Sequence, residues 1–400
     1  MRIQKRMLLF QCFVIITFML SVNTHEKLIH TTVNRITSNY SFSLFNYHVK
    51  YLPSKTLNII SKINSDPQYG SESIENYFIN REAFYENIGK QKKINQNTDS
   101  QDTDKLNKLK DSFSEQRKLA ESELKFMIEQ ELINQHLGIL NSKVIFPPLF
   151  ANLESPPHLL IVSPRDKIQI IAKNLIIPSI NISDVESLER LIEKETNTSV
   201  LIVNLGGIAT YPPLISDKET LKFTMETISH EWLHHYWVFR PLGFNYFKSP
   251  EMTILNETAA EIAGSEIGNL VYNQLKLTNN FETSKKSEFN FNNEMRETRL
   301  HLDNLLKKNL IEEAELYLES QRLAFQKAGV NIRKLNQAYF AFYGTYGQNP
   351  ASSSTIATEL ELLRKKSKNL EDFIKTISKF GNYNDFITYI QQIKSTSSSK

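Results

Sequence analysis

The sequence predicts an α+β chain that is predominantly α-helical, with one small sheet near its middle. Three observations predict it. Apolar residues recur at helical spacing through most of the chain, and four short β-like runs crowd between residues 144 and 203. Paired prolines and glycines punctuate that stretch, although the whole chain of 400 residues holds only Gly 12 and Pro 13. With 40% hydrophobic and 23% charged residues the composition is globular, and the length suits about two or three units.

Charge and cysteine content narrow the function. Lys+Arg 47 against Asp+Glu 44 leaves +3, with no basic block, so no nucleic-acid partner is expected. The one cysteine, Cys12, excludes an internal disulfide framework and a multi-cysteine zinc site.

The amino terminus comes first in order. Arg2, Lys5 and Arg6 precede an uncharged apolar run, 7–22, which ends at Asn23-Thr24-His25-Glu26. A basic start, an apolar stretch and a polar exit form an export signal. As a helix the run would rise about 24 Å, somewhat less than a ~30 Å hydrocarbon core. Ser21-Val22-Asn23 is a poor cleavage site, so residues 1–23 read as a signal anchor, or as a signal peptide were the segment cleaved. The remainder is then expected to be extracytoplasmic and tethered to a membrane, or secreted after cleavage. A buried amino-terminal helix is the alternative.

Residues 24–140 form an expected extracytoplasmic helical region. Within it, 31–67 shows no firm period, 73–90 reads as a helix, 95–103 as a polar linker and 105–137 as a long amphipathic helix. Short strands are expected at 144–146, 159–162, 168–171 and 200–203, separated by turns. From 216 the pattern is helical again: 217–239, 250–275, 287–308, 310–328, 332–342, 353–367, 369–379 and 384–393. This gives a core at 141–275, a C-terminal helical region at 276–394 and a disordered tail at 395–400.

The chemistry sits between 216 and 268. His230-Glu231-Trp232-Leu233-His234 is an H-E-x-x-H motif. On a helix, positions i and i+4 share a face, so His230 and His234 can offer two imidazoles to one Zn²⁺ while Glu231 holds the attacking water as general base. Ser216-Asp217-Lys218-Glu219 has capping-box spacing, and Pro241-Leu242-Gly243 is a stop. A second helix, opened by Ser249-Pro250-Glu251, carries Glu257, Glu261, Gly264 and Gly268 on one face. Glu257 can complete a His₂Glu set, Glu261 can accept a ring N–H from a ligand histidine, and the two glycines allow close approach of the helices.

At these residues the chain resembles the gluzincin zinc metallopeptidases. His-Glu-Trp-Leu-His matches their first signature, and Asn256-Glu-Thr-Ala-Ala-Glu261 matches the thermolysin-like Asn-Glu-x-x-x-Asp with Glu in place of Asp. The resemblance covers about fifty residues, 217–268. It implies a zincin-like catalytic core built on a small sheet and two metal-binding helices, zinc as cofactor, and hydrolysis of a peptide or protein substrate. His230, His234 and Glu257 would be ligands and Glu231 the base. The Gly-x-Met-Glu-Asn marker of the aminopeptidase branch is absent, and His301 has no recognisable context as a transition-state residue.

For an oxyanion-stabilising hydroxyl the cluster Tyr339, Tyr343 and Tyr346 is the best source, with Gly344 and Gly347 letting a loop enter the cleft; Tyr343 and Tyr346 are the catalytic candidates, and packing of a helix end is the alternative. Arg296 and Arg299 suit a solvated face, Trp232 and Trp237 a core, and His235 a neighbour without duty. Strand 200–205 is the candidate edge for pairing with extended substrate, ending at Gly206-Gly207, and a plain core strand is the alternative. Two other readings compete with the peptidase: a catalytically inactive zincin-like scaffold or binding module, and an exported helical structural protein whose motif is accidental.

Overall fold

A computed structural model describes residues 24–49, 70–94, 100–140, 144–275 and 289–398. The expected anchor at 1–23 lies outside the described residues. Among these, no helix is long and apolar enough to cross a membrane.

The chain is mostly helical with small sheets, as its periodicity predicts. In chain order the elements are α1 (Thr24–Thr37), α2 (Gly70–Ile94), α3 (Ser100–Asn134), β1 (Asn152–Leu153), β2 (His158–Pro164), β3 (Ala172–Ile176), α4 (Ile182–Thr196), β4 (Thr198–Val203), β5 (Gly207–Ile208) and β6 (Leu214–Ile215). Then follow α5 (Leu221–Trp237), α6 (Pro241–Phe244), α7 (Pro250–Gln274), α8 (Phe291–Lys307), α9 (Ile311–Lys327), α10 (Gln337–Tyr343), α11 (Ile356–Lys366), α12 (Leu370–Ile377) and α13 (Tyr383–Ser398).

The expected single sheet is two three-stranded sheets. One is antiparallel, in the order β3-β2-β4; the other has the order β1-β6-β5, with β1 parallel and β5 antiparallel to β6. In the first sheet Ile161 pairs with both Lys173 and Leu201, which puts the three side chains on one face. The opposite face, carrying Leu160, Val162, Ala172 and Val200, packs under α1 and α4.

Two helices lie where no periodicity was read. In α1 the apolar residues Ile29 and Val33 are buried against the first sheet although the stretch looks polar overall. In α4, Asn181 caps the helix by accepting from Asp184 N at 2.9 Å, and Asn197 closes it in the left-handed region (φ 51). Strand shifts have local causes too. Ser163 Oγ accepts from Gln169 N and donates to Lys167 O, each at 3.2 Å, so 165–171 is a turn and the strand starts at Ala172. Val144 makes only an isolated bridge to Ile139. Residues 100–103 belong to α3 rather than a linker, and 395–398 continue α13 where a disordered tail was expected.

The largest core unites α2, α3, α5, α7 and α11 to α13. Helix α7 lies at its centre, with Met252, Leu255, Ala259, Ala260, Ala263, Ile267 and Val271 all buried. Phe113 of α3 stacks on Phe84 of α2 with centroids 3.7 Å apart. This core therefore fixes the pair α5 and α7, on which the candidate site stands.

Candidate metal centre

Helix α5 starts four residues later than its capping-box spacing suggests. Thr220 is the cap, accepting from Phe223 N at 3.3 Å, while Ser216 Oγ accepts from Lys218 N. Asp217 keeps the preceding turn in place through hydrogen bonds from Tyr85 and Ser155. Helix α7 opens as expected, with Ser249 accepting from Met252 N and Pro250 at the first turn.

The two helices cross closely because glycines meet backbone. A Cβ on Gly264 would lie 2.8 Å from His230 N, and one on Gly268 would lie 2.6 Å from Glu226 Cα. Close approach brings Glu257 against the histidines. His230 Nε2 and His234 Nε2 are 3.0 Å apart, and Glu257 Oε2 lies 3.4 Å and 3.6 Å from them. A tetrahedral zinc with bonds near 2.0–2.1 Å would hold its donors about 3.3 Å apart, so the spacing and the two-nitrogen, one-oxygen donor set both fit that ion. The group His230, His234 and Glu257 can hold a metal ion.

Asn256 settles how His234 presents its ring. Its Nδ2 donates to Leu242 O at 3.4 Å, which leaves Oδ1, 2.8 Å from His234 Nδ1, as an acceptor. Nδ1 therefore carries a proton, so in the neutral ring it is Nε2 that turns a lone pair to the cluster. Tyr246 donates to Glu257 Oε1, so only Oε2 faces the histidines. Thr253 Oγ1 holds the Tyr246 turn by donating to Tyr246 O at 2.8 Å. Neither Asn256 nor Tyr246 was assigned a role from sequence. Asn256 heads the second signature and could have been read; Tyr246 sits in a turn with no period.

The electrostatics favour added positive charge. Burial acts to lower the His234 pKa, yet Glu257, helped by Glu231 and Asn256, outweighs it and pushes it up to about 9. Burial likewise acts to raise Glu257, but His234 and His230 hold it well below the ordinary carboxylate range. A divalent cation meets the same demand with its own charge. Glu231 is raised, by burial first and Glu257 second, with the histidines opposing. Its carboxylate lies beside Gly207 of β5, where a Cβ would come 2.6 Å from Oε1.

Glu261 sits one turn beyond Glu257. Burial pushes it up to about 7, with Glu257 adding and His230 opposing. Its Oε2 is buried without a hydrogen-bond partner among the described residues, so the ring-orienting bond seen in the structure belongs to Asn256, on His234.

The downstream tyrosines separate. Gly347 N donates to Thr258 Oγ1 at 2.8 Å, and a Cβ on Gly347 would meet that oxygen at 2.7 Å. This dock brings Tyr346 beside His230, with ring centroids 6.5 Å apart, and both Tyr246 and Tyr346 are raised by burial and by Glu257. Tyr343 instead packs on Tyr339 and Phe342, at 4.4 Å and 5.0 Å, and makes no described hydrogen bond or ring contact with the ligands. Arg299 props the loop from behind, donating to Ala351 O at 2.7 Å and to Ser353 Oγ, whereas Arg296 is exposed. His301 is exposed and packs at a tilt against Tyr317. Trp232 and Trp237 are core residues, and burial lowers His235 to about 4.

Strand β4 does not offer a free edge. On the side away from β2, Val200 N and Ile202 N donate to Glu193 and Glu189, while Val200 O and Ile202 O accept from Asn336 and Arg333. Nearer Glu231 is β5, which among the described residues pairs with β6 alone and whose Gly207 lies against the Glu231 carboxylate.

Comparison with known proteins brings no match: no family model, curated protein or solved structure is similar to this chain.

Proposed function

We propose that this protein is a zinc-dependent peptidase with a zincin-like core, tethered to a membrane by residues 1–23 and acting on peptide or protein substrates outside the cytoplasm. One observation carries the reading. His230, His234 and Glu257 converge from two helices, and a buried Glu231 stands next to the first ligand on the same helix. Zinc, when bound, supplies a Lewis acid that polarises a carbonyl and makes water a nucleophile near neutral pH.

The chain's own residues do the rest. Glu231, buried beside the ligands with its pKa raised first by burial, takes a proton from the attacking water and passes it to the leaving amine. Asn256 fixes the His234 tautomer, and Tyr246 fixes the Glu257 carboxylate. Tyr346, whose ring the Gly347 dock brings near His230, is our candidate for the hydroxyl that stabilises developing negative charge. Tyr343, packed on Tyr339 and Phe342, is not proposed for this role. Extended substrate would pair along β5, whose Gly207 lies against Glu231. The membrane tether rests on the basic residues and apolar run at the amino terminus.

Elemental analysis of the purified chain is the test. One zinc per chain, lost in His234→Ala and in Glu257→Ala, is expected. Glu231→Gln should keep the zinc while peptide hydrolysis falls about 10²–10⁴-fold. Zinc without hydrolysis in the unaltered chain would favour a metal-binding scaffold, and zinc indifferent to Glu257 would overturn the ligand set.

A further inference from the structure

Strand β3 carries one charged side chain that the fold leaves unused. Lys173 lies opposite Ile161 and so projects from the face that bears Leu159, Leu201 and Val203. That face packs against Phe342 and Tyr346, and Tyr346 in turn lies beside His230. The neighbour Asn174 points to the opposite side, where it donates to Thr37 Oγ1 at 2.6 Å. Lys173 is half-buried and has no hydrogen bond or ion pair with any described residue. The carboxylate whose field reaches it is Glu257, but both oxygens of Glu257 are engaged, one by Tyr246 and one by the two histidines.

An ammonium on an apolar sheet face is costly without a partner. Burial accordingly lowers the Lys173 pKa, with Glu257 acting against the shift. A divalent cation on Glu257 would offset the negative charge that acts on Lys173, leaving the ammonium with three unspent donors on the sheet face that packs against Tyr346. The complement to such a group is a permanent anion, because a transient oxyanion would leave it unpaired in the resting complex.

We propose that Lys173 is a substrate-binding residue that pairs with a carboxylate of the peptide and makes this site select anionic substrates. The assignment rests on the peptidase reading above. The carboxylate can be the C-terminal α-carboxylate or an Asp or Glu side chain, since both present the same two oxygens to an ammonium. An internal stretch of uncharged or basic residues would bind less well, because it leaves the half-buried charge unpaired.

Binding of a dye-labelled peptide to zinc-loaded full-length Glu231→Gln, read by fluorescence anisotropy, tests this without relying on turnover. One peptide is made in four versions: free acid or amide at the C-terminus, each with Glu or Gln at its single acidic position. We expect at least one carboxylate to strengthen binding about tenfold or more over its neutral twin. Adding Lys173→Met should reduce that contrast to about one with zinc content unchanged, and Lys173→Arg should restore most of it. The version that shows the contrast identifies which carboxylate is bound. A contrast that is absent with Lys173 in place, or that survives Lys173→Met, overturns the assignment of Lys173 and leaves the peptidase reading standing. Failure to hold zinc or to bind any of the four peptides overturns both.

Discussion

Gly207 has no side chain because Glu231 and Thr227 fill the space where one would go, at 2.6 Å and 2.7 Å. A methyl there must turn the carboxylate aside without touching His230, His234 or Glu257. Gly207→Ala should therefore keep its zinc and lose hydrolysis by about 10²-fold or more, in line with a displacement of about 1 Å at a catalytic group. Asn256→Ala should act on the other quantity. With the Nδ1 partner of His234 gone, zinc affinity should fall about 10–100-fold in competition with a fluorescent chelator. At this scale the sequence was legible wherever spacing on a helix fixes geometry, which holds for His230, Glu231, His234 and Glu257. Tyr246 was not legible, because its position depends on a turn shaped by Pro241 and tied by Thr253. Lys173 was hidden for a similar reason: only the register of β3 on β2 aims it at the site.

Among the elements, α5 and α7 show why small residues recur on one face of a helix. Gly264 meets the backbone of His230, and Gly268 the backbone of Glu226, neither of which can retreat as a side chain could. Gly268→Ala should thus lower stability by about 1–3 kcal/mol, read from the urea midpoint. Gly264→Ala should add a loss of zinc affinity, since the methyl pushes the helix carrying Glu257 away from His230. Both helices were readable from motif and cap residues. Strand β4 was readable as a strand but not as a closed edge, because Glu189, Glu193, Arg333 and Asn336 arrive from segments distant in sequence. Helix α4 had its signals in Asn181 and in Val185, Leu188 and Ile192, yet it lies among strands whose turn residues dominate the local pattern. Two-residue strands such as β5 and β6 are too short to have a period at all.

At the scale of the whole molecule, acid should weaken the fold through histidines away from the candidate metal centre. Burial lowers the pKa of His48 and of His158 below the ordinary value of 6.5, with hydrogen bonds opposing in each case. Near and below pH 6.5 the unfolded chain then binds protons that the folded chain refuses, so stability present above that pH is lost as it falls. Urea midpoints measured from pH 7.5 down to 5.5 should drop, and the double variant His48→Gln, His158→Gln should show the shallower decline. Zinc at the proposed site should act in the opposite direction by binding the folded state. At 100 times its dissociation constant it should add about 2.7 kcal/mol, visible as a Tm that rises with free zinc and falls with a chelator.

The dock of Gly347 on Thr258 also sets an order in time. During synthesis the ribosome releases Gly207, Glu231 and the three ligands well before Tyr346, which reaches α7 only when a segment 89 residues beyond Thr258 has folded onto it. A nascent chain could therefore capture the proposed metal early, while the hydroxyl proposed to complete the reaction centre arrives last. In a protein proposed to cut peptides, such a schedule would keep the growing polypeptide safe from its own chemistry until the segment around Gly347 is in place.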